Sequence, residues 1–305
     1  MKGLVMRSTG SWYEVKADDQ RMVQCRLRGK LKLKDAKMNN PVAVGDRVEY
    51  ELEAEEKGII SEILPRDNYL IRQSVHKSAH GHILAANLDQ AVLVVTLVFP
   101  RTSLGFMDRF LVAAESFRIP SVLVFNKTDL LEPEGMAHQA ALTRLYESLG
   151  YACIQTSVTE KTNLEAFRAV LEGKKSLLSG HSGVGKSSLV NAVSPQLRLR
   201  TSEVSTFANK GVHTTTFAEM FELTPGTFII DTPGIKELGL ADTEPWEIGH
   251  YFPEMRERMD RCRYQNCTHA HEPGCVVRAA VASGEIAKSR YASYLSMLGG
   301  GDNRR

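Results

Sequence analysis

The sequence predicts a multidomain α/β protein: an OB-like β-barrel, then a doubly wound α/β domain, then a small helical metal-binding module. Three observations predict it. Short strand patterns fill residues 1–70, strand and helix patterns alternate over 71–240, and three cysteines cluster with a histidine inside 241–305.

In the first zone, apolar and polar residues alternate over 11–15, 22–27, 47–53 and 58–63. Asp18-Asp19, Asn39-Asn40-Pro41 and Gly45-Asp46 supply the turns. The length suits a small barrel. Arg26, Arg28, Lys30, Lys32 and Lys34 fall on even positions, with Leu27, Leu31 and Leu33 on odd ones. At strand period two this makes one basic and one apolar face. The plain alternative is a solvated surface, but this many charges in register favour a nucleic-acid backbone. Trp12 and Tyr13 are the only aromatics nearby, so backbone and shape recognition of RNA is expected rather than base reading.

The second zone opens on a β-branched run at 91–98, the pattern of a buried parallel strand. Helical spacing follows over 104–117, a strand over 121–125, a helix over 134–149 and a strand over 151–156. A helix at 164–171 and a strand at 176–179 complete a doubly wound sheet. The third zone is polar and helical, and its Gly-Gly-Gly-Asp-Asn-Arg-Arg end is expected to be disordered.

Composition narrows the setting. The chain has 305 residues, 43% of them hydrophobic and 24% charged, with a formal charge of +2 that says little about partners. The longest apolar stretch, 91–99, is broken by Thr96 and falls well short of the ~20 residues of a membrane span. The first residues lack the apolar core of a secretory signal. A cytoplasmic protein with no membrane partner is expected, and a monomer.

Residues 180–187 read Gly-His-Ser-Gly-Val-Gly-Lys-Ser, between a predicted strand and a predicted helix. This is the phosphate-binding P-loop pattern in its proper context. Gly180, Gly183 and Gly185 let the chain curl so that backbone N–H groups, with those of His181, Ser182, Val184 and Ser188, face phosphate oxygens. Lys186 is expected to reach the β- and γ-phosphates and Ser187 to bind Mg²⁺. A chance glycine-rich turn is the weaker reading.

The base is chosen elsewhere. Asn126-Lys127-Thr128-Asp129 follows the strand over 121–125. A carboxylate at Asp129 can accept hydrogen bonds from the ring N–H and exocyclic amine of guanine. Adenine lacks that donor pair and would leave Asp129 unpaired, which discriminates strongly. Asn126 and Lys127 would brace the base and the phosphate loop. Thr156 and Ser157 stand where backbone could meet the guanine oxygen, an ordinary strand-end turn being the alternative.

Asp231-Thr232-Pro233-Gly234 follows an apolar run, which suits Asp231 to the Mg²⁺ shell and the Gly234 N–H to the γ-phosphate. Gly211-Val212-His213-Thr214-Thr215-Thr216 supplies hydroxyls that could close over Mg²⁺, Thr215 being favoured among its neighbours. In Ras-like proteins a glutamine after the Asp-x-x-Gly motif orients the attacking water. Here that residue is Ile235, which makes no hydrogen bond to water. His213 is the candidate substitute, an exposed loop histidine the alternative.

Cys262-x₄-Cys267-x-His269-x₅-Cys275 offers three thiols and an imidazole, a donor set that suits tetrahedral zinc. Reduced cysteines on a helical surface are the alternative, and His271 competes with His269. Cys25 and Cys153 read as plain buried residues.

The base loop precedes the phosphate loop, the reverse of the usual order. With this rotation the chain resembles the RsgA family, the ribosome small subunit-dependent GTPases, which are circularly permuted. The resemblance runs over nearly the whole chain and includes Gly211–Thr216 and all four Cys/His positions. It implies a circularly permuted P-loop GTPase domain, a zinc-binding domain, binding of GTP and GDP, and a role for His213 in hydrolysis. It implies as partners the small ribosomal subunit and its rRNA, late in maturation, with hydrolysis stimulated by that subunit. Two other functions remain open: an RNA-binding protein with vestigial nucleotide binding, and a signalling GTPase with protein partners.

Overall fold

The computed structural model describes residues 1–29, 41–72, 82–197, 218–231 and 243–300. Five strands open the chain: β1 (Lys2–Ser8), β2 (Tyr13–Ala17), β3 (Met22–Leu27), β4 (Arg47–Ala54) and β5 (Lys57–Ile63). They run in the order β1-β2-β3-β5-β4, and β1 also pairs with β4, closing a barrel. Polarity alternates as a one-sided sheet requires: Val23, Cys25 and Leu27 are buried on β3 while Met22, Gln24 and Arg26 face out.

The sequence pattern anticipates every barrel strand but β1. Val5 of β1 packs in the barrel core, while Met6 packs in the core of the next domain. A strand buried on both faces, with a register shift between Val5 and Arg7, shows no alternation to read.

The basic face also needs correction. β3 ends at Leu27, and Arg26 lies 3.0 Å from Glu53 of β4. Arg28 likewise pairs with Glu51 of β4. Both described cations are thus matched by carboxylates of β4, reached across β5. Lys30, Lys32 and Lys34 lie outside the described residues.

A hairpin of β6 (Tyr69–Arg72) and β7 (His82–Ala86) leads into β8 (Gln90–Val95), whose six residues are all buried. Each buried aliphatic side chain there contributes about 1.5–3 kcal/mol. Then come α1 (Leu104–Ser116), β9 (Ser121–Phe125), α2 (Pro133–Ser148) and β10 (Ala152–Gln155). After them follow α3 (Leu164–Leu171), β11 (Lys175–Ser179), α4 (Lys186–Val193), β12 (Glu219–Thr224) and β13 (Thr227–Asp231). The sheet order is β10-β9-β8-β11-β13-β12, parallel except for β12.

Alternate residues of β8 and β9 divide between the two faces. Leu93, Val95, Leu123 and Phe125 meet Phe106, Met107 and Phe110 of α1 and Tyr146 of α2. Val92, Val94, Val122 and Val124 meet Phe167 of α3 and Leu189, Val190 and Val193 of α4. This is the expected doubly wound body.

One connection was not anticipated. The outer strand β12 pairs antiparallel with β1, Arg7 opposite Glu219, and Lys16 of β2 pairs with Glu222. Barrel and α/β sheet thereby form one eleven-stranded sheet.

The chain ends in a 3₁₀ segment (Pro245–Tyr251), α5 (Pro253–Met259), α6 (Val276–Ser283) and α7 (Lys288–Leu298). Their core, with Ile248, Phe252, Met255, Val277 and Tyr294, takes in Val112 of α1. Beside it, Arg290 of α7 is only 1% exposed and lies 2.7 Å from both Asp108 of α1 and Glu254 of α5. Burial disfavours its charge, but Asp108 and Glu254 outweigh that and hold the guanidinium firmly protonated. Among the described residues no helix is long and apolar enough to cross a membrane.

Candidate nucleotide-binding site and metal centre

The parallel strands β8, β9, β10 and β11 end on one edge, where ligands bind in doubly wound sheets. Residues 180–185 turn there from β11 into α4. Gly180, Gly183 and Gly185 all have positive φ, at 140°, 85° and 95°. Space forbids a side chain as well: a Cβ on Gly180 would lie 2.2 Å from the Val94 carbonyl, and one on Gly185 2.4 Å from Asn126 Nδ2. Val184 is the inward anchor, fully buried against α4. Lys186 Nζ donates to the carbonyls of Gly180 at 2.7 Å and His181 at 2.9 Å, so the ammonium lies across the loop. Ser187 sits in the first turn of α4, where the helix dipole favours anions. Ser182 and Gly183 are exposed.

The base loop stands against the phosphate loop. Asn126 Nδ2 donates to the Val184 carbonyl at 2.8 Å, and its Oδ1 accepts from Thr156 Oγ1 at 3.0 Å. One buried amide therefore ties three segments together. Lys127 takes a left-handed conformation, and its Nζ donates to the Phe99 carbonyl at 2.7 Å. The Thr128 N–H and hydroxyl both reach the Thr156 carbonyl, each at 3.2 Å. Ser157 Oγ donates to Asp129 Oδ1 at 2.6 Å and accepts from the Glu160 N–H at 3.0 Å. That bond fixes the carboxylate's orientation and leaves lone pairs on both oxygens for further donors.

The residues Asn126, Lys127, Thr128, Asp129, Thr156, Ser157 and 180–188 are thus gathered on one sheet edge. Asp231 ends β13 in register with Leu178 of β11, beside the phosphate loop's entry. Its side chain, and His213, Thr215, Gly234 and Ile235, lie outside the described residues.

Two supports of the site were missed. Phe106 of α1 packs on the His181 ring, centroids 4.0 Å apart and planes at 31°. Asp108 accepts from Arg290 and, at 2.9 Å, from Tyr146 OH. A carboxylate inside the apolar helix pattern of 104–117 was the one available signal.

The second cluster is the metal centre. The donor atoms of Cys262, Cys267, His269 and Cys275 all lie within 4.8 Å of one another. His269 Nδ1 is 3.4 Å from Cys275 Sγ and 3.6 Å from Cys262 Sγ. Its Nε2 is buried without a hydrogen bond among the described residues, so the ring turns only Nδ1 to the thiols. Burial pushes the Cys267 thiol up to about 12 and raises Cys275 as well. Such crowded, buried thiols ionise only beside a cation, and this soft set of four suits one structural zinc. His271 is exposed, which removes it as a competitor. The loop is held by Glu272, which accepts from Thr268 Oγ1 at 2.6 Å, Thr268 N at 2.8 Å and the amides of Ala270 and His271. Burial raises its pKa, but these bonds prevail and hold it well below the carboxylate range.

Cys25 is buried, and burial raises its thiol to about 11; that of half-buried Cys153 rises to about 12. Neither is a nucleophile at neutral pH.

Comparison with known proteins agrees with this arrangement. The sequence model of the RsgA GTPase family matches residues 63–241, and that of the RsgA N-terminal domain matches residues 2–60. A small ribosomal subunit biogenesis GTPase RsgA 2 of Bacteroides thetaiotaomicron is 53% identical, over 98% of this chain and 96% of its own length. One from Cytophaga hutchinsonii, named small ribosomal subunit biogenesis GTPase RsgA, is 50% identical and aligns over 100% of both chains. The crystal structure of YjeQ from Thermotoga maritima superposes with a TM-score of 0.80 at 36% identity, covering 97% of this chain and 96% of that one. The structure of YloQ, described as a circularly permuted GTPase, gives 0.76 at 28% identity, covering 100% and 96%. With its loops in rotated order around one sheet edge, the chain belongs to the RsgA GTPase family.

Proposed function

We propose that this chain hydrolyses GTP to GDP and phosphate on the small ribosomal subunit, timing a late step of its maturation or the release of a factor. The observation that carries the reading is the Asn126 amide, bonded at once to the Val184 carbonyl and the Thr156 hydroxyl. A phosphate cradle and a base-reading loop far apart in sequence are thereby parts of one pocket. In it Asp129, oriented by Ser157, accepts the two guanine donors. The amides of 180–188 and Lys186 hold the β- and γ-phosphates. Ser187, Thr215 and Asp231 are the Mg²⁺ ligands, and that ion supplies charge neutralisation at the transferring phosphoryl group.

His213 orients the attacking water, a task Ile235 cannot perform, and the Gly234 N–H senses the γ-phosphate. Hydrolysis is slow until the particle is bound. The relatives' names speak of small-subunit biogenesis, and their end-to-end alignment supports carrying that partner to this chain. Domain limits near 70 and 240 fit this division of labour: barrel and zinc module grip rRNA, and the body between hydrolyses GTP. The pairing of Arg26 and Arg28 with glutamates puts the barrel's weight for RNA on Lys30, Lys32 and Lys34. The setting is the cytoplasm, and the chain acts as a monomer.

GTP turnover with and without purified small subunits tests the reading. Stimulation of at least about tenfold is expected, a low threshold beside the roughly 10³–10⁵-fold by which a supplied arginine accelerates other GTPases. Absence of turnover would favour vestigial binding, and turnover indifferent to subunits would favour a signalling role.

A further inference from the structure

The phosphate loop has few side-chain anchors, because three of its residues are glycines. Val184 fastens its middle and Lys186 crosses to the Gly180 and His181 carbonyls. A further contact is the His181 ring, packed 4.0 Å from Phe106 at 31°. Since the His181 carbonyl itself accepts from Lys186 Nζ at 2.9 Å, moving the ring moves the ammonium that meets the phosphates. Phe106 is buried and stands in the first turn of α1, where Ser103 Oγ accepts its N–H at 3.3 Å.

Two residues on, toward another side of α1, Asp108 accepts from Arg290 at 2.7 Å. Arg290 also makes a two-pronged pair with Glu254, at 2.7 and 3.1 Å, and lies 4.6 Å from the centroid of the Phe252 ring. The next residue of α7, Tyr291, donates to the His269 carbonyl at 2.7 Å, and Tyr294 donates to that of Thr268. A continuous series of buried and half-buried contacts thus runs from the metal loop through α7 and α1 to the phosphate loop.

We propose that Phe106 is a positioning residue for the phosphate loop, and that the metal module fixes its place through Arg290. The proposal rests on the guanine-nucleotide reading above. Metal loading and nucleotide affinity are then linked, each raising the other.

The test is GDP binding by calorimetry on the full chain. Phe106→Ala should raise the GDP Kd about tenfold, and Phe106→Leu, which keeps apolar bulk, about threefold or less. The preference for GDP over ADP should not change, because the base is read by Asp129 and not by Phe106. In a His181→Ala background, adding Phe106→Ala should change Kd less than about twofold. Stripping zinc with a chelator, then removing the chelator and restoring Mg²⁺, should weaken GDP binding in the wild type and not in Phe106→Ala. A merely structural Phe106 would lower Tm and leave Kd unaltered, which overturns the proposal. The same tenfold loss in the His181→Ala background, or chelation without effect on wild-type Kd, overturns it too. A wild-type chain that binds no GDP defeats the nucleotide reading itself, a distinguishable failure.

Discussion

Asp129 shows how much a single carboxylate decides. Guanine offers it two donors, and xanthine replaces one of them with a carbonyl. Asp129→Asn puts an amide donor at that place. It should weaken GTP about a hundredfold or more and bring xanthosine triphosphate to comparable or better affinity, measured by competition. Equal GTP affinity would remove Asp129 from base reading. Asp129 was legible in the sequence because its motif is short and chemically rigid. Its orienting partner Ser157 was read there only for a backbone contact; its hydroxyl bond became visible once β9 and β10 were set side by side. Glu272 was not legible at all, since its four donors come from the turn conformation of its own loop. Its lowered pKa carries a sign. Stability from a group whose folded pKa lies below its unfolded value is full above the latter, near 4.3, and drains away as pH falls through the former. The Tm difference between wild type and Glu272→Gln should therefore be constant above about pH 5 and shrink below about pH 4. A difference independent of pH would show the carboxylate charge to be irrelevant.

At the scale of elements, the helices of the α/β body were readable from one apolar face, and its strands from unbroken apolar runs. The predicted 121–125 and 164–171 agree with β9 and α3 residue for residue. β1 and β12 were not read, because each is shared between partners and lacks a clean period. The buried group on α1, α5 and α7 was invisible for a related reason: Asp108 and Arg290 lie 182 positions apart. Removing the cation alone strands two carboxylates in the interior. Arg290→Met should cost about 3–5 kcal/mol in urea unfolding, while joint replacement of Arg290, Asp108 and Glu254 by apolar residues of similar volume should recover most of it. Equal losses in both variants would mean that shape, rather than uncompensated charge, accounts for the cost.

At the scale of the molecule, the three-part plan followed from composition and pattern, whereas the way the parts adhere did not. Adhesion depends on residues of one part filling the core of another: Met6 and Val44 enter the α/β core, and Val112 enters that of the metal module. The strand pairing between β1 and β12 has a practical corollary. Cut away residues 1–60, and β12 keeps a raw rim of amides and carbonyls beside the apolar hollow that Met6 had filled. Rims of that kind adhere to their own kind. The shortened chain should emerge from size-exclusion light scattering as dimers or larger clusters, while the full chain should elute as single copies. Nature's barrel would then be, besides any grip on RNA, the cover that keeps neighbouring copies from sticking edge to edge.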